Sequence, residues 1–143
     1  METVKQVVGS KDCLACVAAM ATQTTVEDFK AYYRKHNLSF DQDITLIRYL
    51  WDNGYMVGTF APEDELWTVN RSFGVLLLRG PAYLTVDSET ESVRKQGADH
   101  AVYWDGRRVH DPAGTTKRLS QYKIKSILGI VKNIAHERWQ TEG

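Results

Sequence analysis

Apolar and polar positions follow one rhythm early in the chain and another after residue 54. The segment "CLACVAAMATQ" (13–23) is apolar nearly all round and lacks Gly and Pro, which predicts a largely buried helix. Ahead of it, residues 3–8 read as a short strand or an extended lead-in. "GSKDC" reads as a turn in which Ser10 or Asp12 can cap that helix. Thr24 and Glu27 form a T-x-x-E capping box opening a second helix over about 26–36. Ser39 and Gln42 repeat the signal for a third helix, roughly 41–53, with Ile44, Ile47, Leu50 and Trp51 on one face. Gly54 is placed to end that helix in the left-handed conformation.

Beyond Gly54 the period shortens. "YMVGTF" (55–60), "FGVLLLR" (73–79) and "AYLTVD" (82–87) read as strands, followed by a hairpin over 99–112. "IKSILGIVK" (124–132) fits either strand or helix; its β-branched content and Gly129 favour a strand, with "LSQY" as a short helix before it. Residues 88–98 and Glu63-Asp64-Glu65 look like solvated segments. Helices first and an antiparallel sheet afterwards is an α+β layout. The 143 residues, without repeats or linkers, suggest a single domain, 1–143. That length can bury a core without metal or disulfide staples.

The hairpin "DHAVYWDGRRVHDP" carries the first candidate chemistry. Asp105-Gly106 is a strong signal for a two-residue turn. Counting outward from it sets His100 opposite Asp111 on one sheet face, with Cβ atoms about 5 Å apart. A carboxylate there can accept from the imidazole, fix its tautomer and stabilise the imidazolium. His110 points to the opposite face by the same alternation. A cross-strand polar pair of purely structural value fits the same two residues.

Cys13 sits at the expected N-terminus of the first helix, where unsatisfied N–H groups and the helix dipole favour a thiolate. Its own N–H and the side-chain amide of Gln6 are candidate donors to an oxyanion. Taken without His100 and Asp111, Cys13 is more readily a structural thiol. Cys16, one turn on along an Ala-rich face, reads as a small buried apolar residue. As C-x-x-C the pair could be a redox motif, but that motif calls for a βαβ context and three helices follow instead. As zinc ligands the cysteines need two partners, and His100 and His110 are ten apart rather than three to five. Neither metal nor cofactor is expected.

Composition narrows the setting. Lys+Arg and Asp+Glu balance at 18 each, so no global field draws in nucleic acid or anionic lipid. No apolar run approaches a membrane span, and the opening "METVKQVVGSKDCLAC" is too polar for a signal peptide. The expectation is a cytoplasmic protein with reduced thiols.

A Cys opening a buried helix, a Gln just before it, and a His then an Asp on late antiparallel strands together resemble the papain-like cysteine peptidase superfamily. The segments "KQVVGSKDCLACVAAMATQTTVEDF" and "DHAVYWDGRRVHDP" are most similar to its C39-like branch, the bacteriocin-leader peptidase type. The resemblance implies a papain-like fold, N-terminal helices packed on an antiparallel sheet. It also implies Cys13 as nucleophile, His100 as general base, Asp111 as its orienting partner and Gln6 in the oxyanion hole. Two departures stand out. Gln6 lies seven positions before Cys13 where six is usual, and Leu14 follows the Cys where Gly is common. A free-standing protein of this type fits a bacterial or phage source. The implied activity is thiol-dependent hydrolysis of a peptide or amide bond in a peptide or protein substrate. The alternatives are a non-catalytic module that grips a peptide or blocks a partner protein, and an acyltransferase using the same triad. Specificity is expected to lie in residues 61–72 and 88–98.

Overall fold

The computed structural model describes residues 1–7, 10–60, 81–87 and 99–132. The expected strand over 73–79, the acidic run at 63–65 and the rims at 61–72 and 88–98 lie outside them. Three helices come first: α1 (Cys13–Thr22), α2 (Val26–Lys35) and α3 (Asp43–Asp52). The strands follow as β1 (Tyr55–Phe60), β2 (Ala82–Val86), β3 (His100–Trp104), β4 (Val109–His110) and β5 (Ile124–Lys132). A 3-10 turn, Leu119–Gln121, precedes β5. The sheet runs β1-β5-β2-β3-β4, with every neighbouring pair antiparallel. The architecture is α+β.

Every residue of α1 from Leu14 to Ala21 is buried, as its all-round apolar pattern requires. It lies between α2 and α3 on one side and the sheet on the other, packing against Tyr83, Ala101, Tyr103, Leu128 and Ile130. Its small residues, Ala15 and Ala18, bring the helix close to Ala101 of β3. The opposite sheet face holds a second core of Leu84, Val102, Trp104 and Ile127 under Leu119. Alternation along β3 thus feeds two cores, Ala101 and Tyr103 to one and Val102 and Trp104 to the other.

Several local expectations shift. Residues 1–7 are an extended lead-in rather than a strand. The capping box of α2 uses Thr25 and Asp28, not Thr24 and Glu27: Asp28 N–H donates to the Thr25 hydroxyl and Thr25 N–H to the Asp28 carboxylate. Thr24 is drawn inward instead, its hydroxyl 2.6 Å from that of Tyr49. Asp12 holds the N-cap position of α1, but its side chain makes no capping bond and pairs with Lys30 at 3.0 Å. In α3 the buried stripe is Thr45, Leu46, Tyr49 and Leu50, while Ile44 and Trp51 are about half exposed. Tyr49 rotates the helix inward by stacking edge-on against Phe29 and Tyr32, with its hydroxyl satisfied by Thr24. Gly54, at φ 91°, turns the chain from α3 into β1 as expected.

Candidate active site

The hairpin places the site, and its turn sits one residue later than the Asp-Gly pair suggests. Trp104 pairs with Val109 and Tyr103 with His110. The Asp105 carboxylate explains the slip. Its Oδ1 accepts the backbone N–H of both Arg107 and Arg108, while Asp105 N–H donates to the Arg108 carbonyl. This wraps the turn around Gly106, at φ 99°. Each residue's partner therefore moves by two positions, an even number, so no side chain changes face. Continuing the count sets Asp111 opposite Val102 and diagonal to His100. The two side chains bridge that diagonal, with His100 Nε2 2.5 Å from Asp111 Oδ1.

Asp111 is almost wholly buried and fully partnered. Oδ1 also accepts from Ala113 N–H at 2.9 Å, and Oδ2 accepts from the Tyr122 hydroxyl at 2.7 Å. Burial alone raises its carboxyl, but the bonds from His100 and Tyr122, then the His100 charge and Ala113 N–H, hold it below the usual carboxylate range. Asp111 is therefore a fixed anion.

Cys13 is half-buried at the first position of α1, and the His100 imidazole lies close enough to act on its thiol. Nε2 is taken by Asp111, which leaves Nδ1 as the ring nitrogen available to the sulfur. Burial pushes the thiol up. The His100 bond, the Ala101 N–H, the His100 charge and the Leu14 N–H outweigh it and bring the thiol below its ordinary value. His100 moves the other way. Burial lowers it, but the bonds to Asp111 and Cys13 and the charges of both raise it to about 9. A lowered thiol beside a raised imidazole shifts the balance towards a thiolate–imidazolium pair. Cys16 lacks these partners: burial first, then the charges of Asp12 and Cys13, push it up to about 12.

A cleft of about 490 Å³ opens beside the sulfur, with Cys13, Leu14, Tyr83, Thr85 and Ala101 in its lining. Lys11, Asp41, Asp43, Asp99 and Lys125 give it charges of both signs. Gln6 sits apart from the other three in its bonding. Its backbone N–H donates to the Pro112 carbonyl at 2.8 Å, which ties it to the chain next to Asp111. Its side-chain amide donates to the Ser10 carbonyl at 2.8 Å, and its Oε1 is buried with no partner among the described residues. So Cys13, His100 and Asp111 come together, while one N–H of the Gln6 amide is committed to the Ser10 carbonyl.

Tyr122 escaped sequence reasoning. Only its position just before an expected strand set it apart, and nothing local says that its hydroxyl reaches Asp111. His110 forms a second pair, with Nε2 2.6 Å from Asp105 Oδ2 and Nδ1 2.8 Å from the Thr3 hydroxyl. Among the described residues no group of three or more His, Cys, Asp and Glu is placed to hold a metal ion.

No family model, curated protein or solved structure matches this chain. The chemistry therefore has to be read from the geometry. An activated thiol lines a cleft, with an imidazole beside it that can carry and return a proton and a buried carboxylate behind that imidazole. This arrangement can attack an acyl carbon and protonate the leaving group.

Proposed function

We propose that the chain is a papain-like thiol hydrolase, resembling the C39-like peptidases, that cleaves a peptide or amide bond through Cys13, His100 and Asp111. The observation that carries this reading is a helix-start cysteine beside an imidazole whose Nε2 rests 2.5 Å from a buried carboxylate. The order of elements supports it too, with the cysteine on the first helix and the His and Asp on late antiparallel strands.

In this scheme the Cys13 thiolate attacks the substrate carbonyl. The developing oxyanion is met by the Cys13 N–H, one of the donors that a helix start leaves without an intrahelical partner. His100 gives its Nδ1 proton to the departing amine and then takes a proton from water, which hydrolyses the thioester. Asp111 keeps the imidazole oriented throughout. Gln6 serves as second oxyanion donor if the amide hydrogen not bonded to the Ser10 carbonyl is brought over the oxyanion when substrate binds.

That last requirement favours a second reading. A Gln6 amide bonded to Ser10 suits a module of the same architecture that grips a peptide or blocks a partner protein without turnover. Among the described residues no helix is long and apolar enough to cross a membrane. A cytoplasmic setting with a peptide or protein partner is part of the proposal.

An activated ester separates the two. With p-nitrophenyl acetate a hydrolase releases a burst of one nitrophenolate per chain, leaves an acetyl group on Cys13 and then turns over steadily. Cys13→Ala should lack both phases. A burst without turnover favours the binding module, and equal rates for parent and Cys13→Ala rule out the thiol mechanism. An added amine that captures the acetyl group in place of water marks an acyltransferase.

A further inference from the structure

We propose that Tyr122 is a positioning residue of this site: its hydroxyl locks the Asp111 carboxylate in place against the His100 imidazole beside Cys13. The inference rests on the thiol reading above and adds a fourth member to it.

The geometry is specific. Asp111 has two oxygens with different duties. Oδ1 serves His100 and the Ala113 N–H, both on the near side of the carboxylate. Among the described residues Oδ2 has one bond, the 2.7 Å contact from the Tyr122 hydroxyl. A carboxylate held only through one oxygen can rotate about its Cβ–Cγ bond and spread its charge away from the imidazole. A donor on the second oxygen closes that freedom. Tyr122 is itself well placed to be rigid. It follows the 3-10 turn, where its N–H donates to the Leu119 carbonyl, and it leads into β5. The Lys117 ammonium lies over its ring, 5.5 Å from the centroid. The phenol is pushed well above its ordinary value, by burial and then by the bond and charge of Asp111, so it remains a donor at every pH where the site works.

A purely structural tyrosine would satisfy the buried carboxylate and do nothing more. The two roles differ in what they move. If Tyr122 acts through Asp111 on His100, its loss lowers the thiolate fraction of Cys13 in mild acid and leaves the thiol unaffected where all thiols are ionised.

The test uses the whole chain and iodoacetamide, with Cys13 alkylation read by peptide mass spectrometry. In Tyr122→Phe the rate at pH 6 should fall about fivefold, while the rate at pH 10 stays at the parent value. The His100 ring titration, followed by NMR, should drop from about 9 towards its ordinary value. Tyr122→Met, also without a donor, should behave alike and serves if the phenylalanine variant does not fold. In an Asp111→Ala background, adding Tyr122→Phe should change nothing further, because the path through the carboxylate is already cut. A pH 6 rate equal to the parent's in either folded variant overturns the inference, as does a full fivefold loss in the Asp111→Ala background. A parent Cys13 no faster than an ordinary thiol at pH 6 is a different outcome, since it removes the hydrolase reading itself.

Discussion

The β3–β4 hairpin carries two histidine–carboxylate pairs of nearly equal length. His100–Asp111 measures 2.5 Å and His110–Asp105 measures 2.6 Å. Their surroundings differ. The second nitrogen of His110 is closed off by the Thr3 hydroxyl, and the ring is fully buried. Nearby, the Arg108 guanidinium donates to the Met1 carbonyl, so this end of the hairpin fastens the N-terminal segment. The His100 ring instead lies beside the Cys13 thiol, and that thiol lines a cleft. An imidazole on a carboxylate is therefore not chemistry by itself. The group on its far side and access from solvent decide between a clasp and a reactive pair.

Exchanging which pair is damaged gives the largest effect. His100→Ala should slow Cys13 alkylation at pH 6 by roughly 10–100-fold, the lost thiolate fraction being partly offset by the higher nucleophilicity of a more basic thiol. His110→Ala should leave that rate within about twofold and destabilise the fold by about 2 kcal/mol in a urea titration, since it leaves the Asp105 carboxylate and the Thr3 hydroxyl short of a partner. A His110 variant that silences Cys13 while staying folded would erase the distinction.

The pH profile sharpens the comparison. Cys13 lies below its ordinary value and His100 is raised to about 9, so the ion pair forms as pH rises through the lowered thiol and is lost as pH rises through about 9. Burnt in as stability, the raised imidazole contributes fully below about pH 6.5, its unfolded value, and loses that contribution on the alkaline side. The expected ester-hydrolysis profile is a plateau across neutral pH that falls above about 9. In His100→Ala the plateau should vanish and the rate should climb only with ordinary thiol ionisation.

Gln6→Ala reports whether the loop amide ever reaches the oxyanion. If it does, acetylation of Cys13 by the ester should fall about 10²-fold with the alkylation rate unchanged. The smallest change is a control remote from both pairs. Thr25→Ala removes the α2 cap and should cost about 1 kcal/mol without altering Cys13 alkylation, which separates lost stability from lost reactivity.

Much of this arrangement can be read along the chain, because much of it depends on local periodicity. The bounds of β1 follow from the change of period after Gly54 and those of β5 from its β-branched content, and the start of α1 at Cys13 follows from its apolar block. The shared face of His100 and Asp111 survives a two-residue slip because alternation has a period of two. What escaped depends on groups distant in sequence. The turn moved because the Asp105 side chain captures two backbone N–H groups. The α3 stripe turned because Tyr49 found Phe29, Tyr32 and Thr24 across the helix bundle. Tyr122 on Asp111 and Thr3 on His110 are contacts between segments with no mutual pattern. Gln6 could be found by its place before Cys13, but its amide's attachment to Ser10 could not.

The most direct measurement is a limiting pulse of iodoacetamide at pH 6, with Cys13 and Cys16 quantified separately by peptide mass spectrometry. The account predicts that Cys13 is labelled at least tenfold faster than Cys16, and that His100→Ala removes most of that advantage. Equal slow labelling of both cysteines, or a fast Cys13 indifferent to His100, would contradict it.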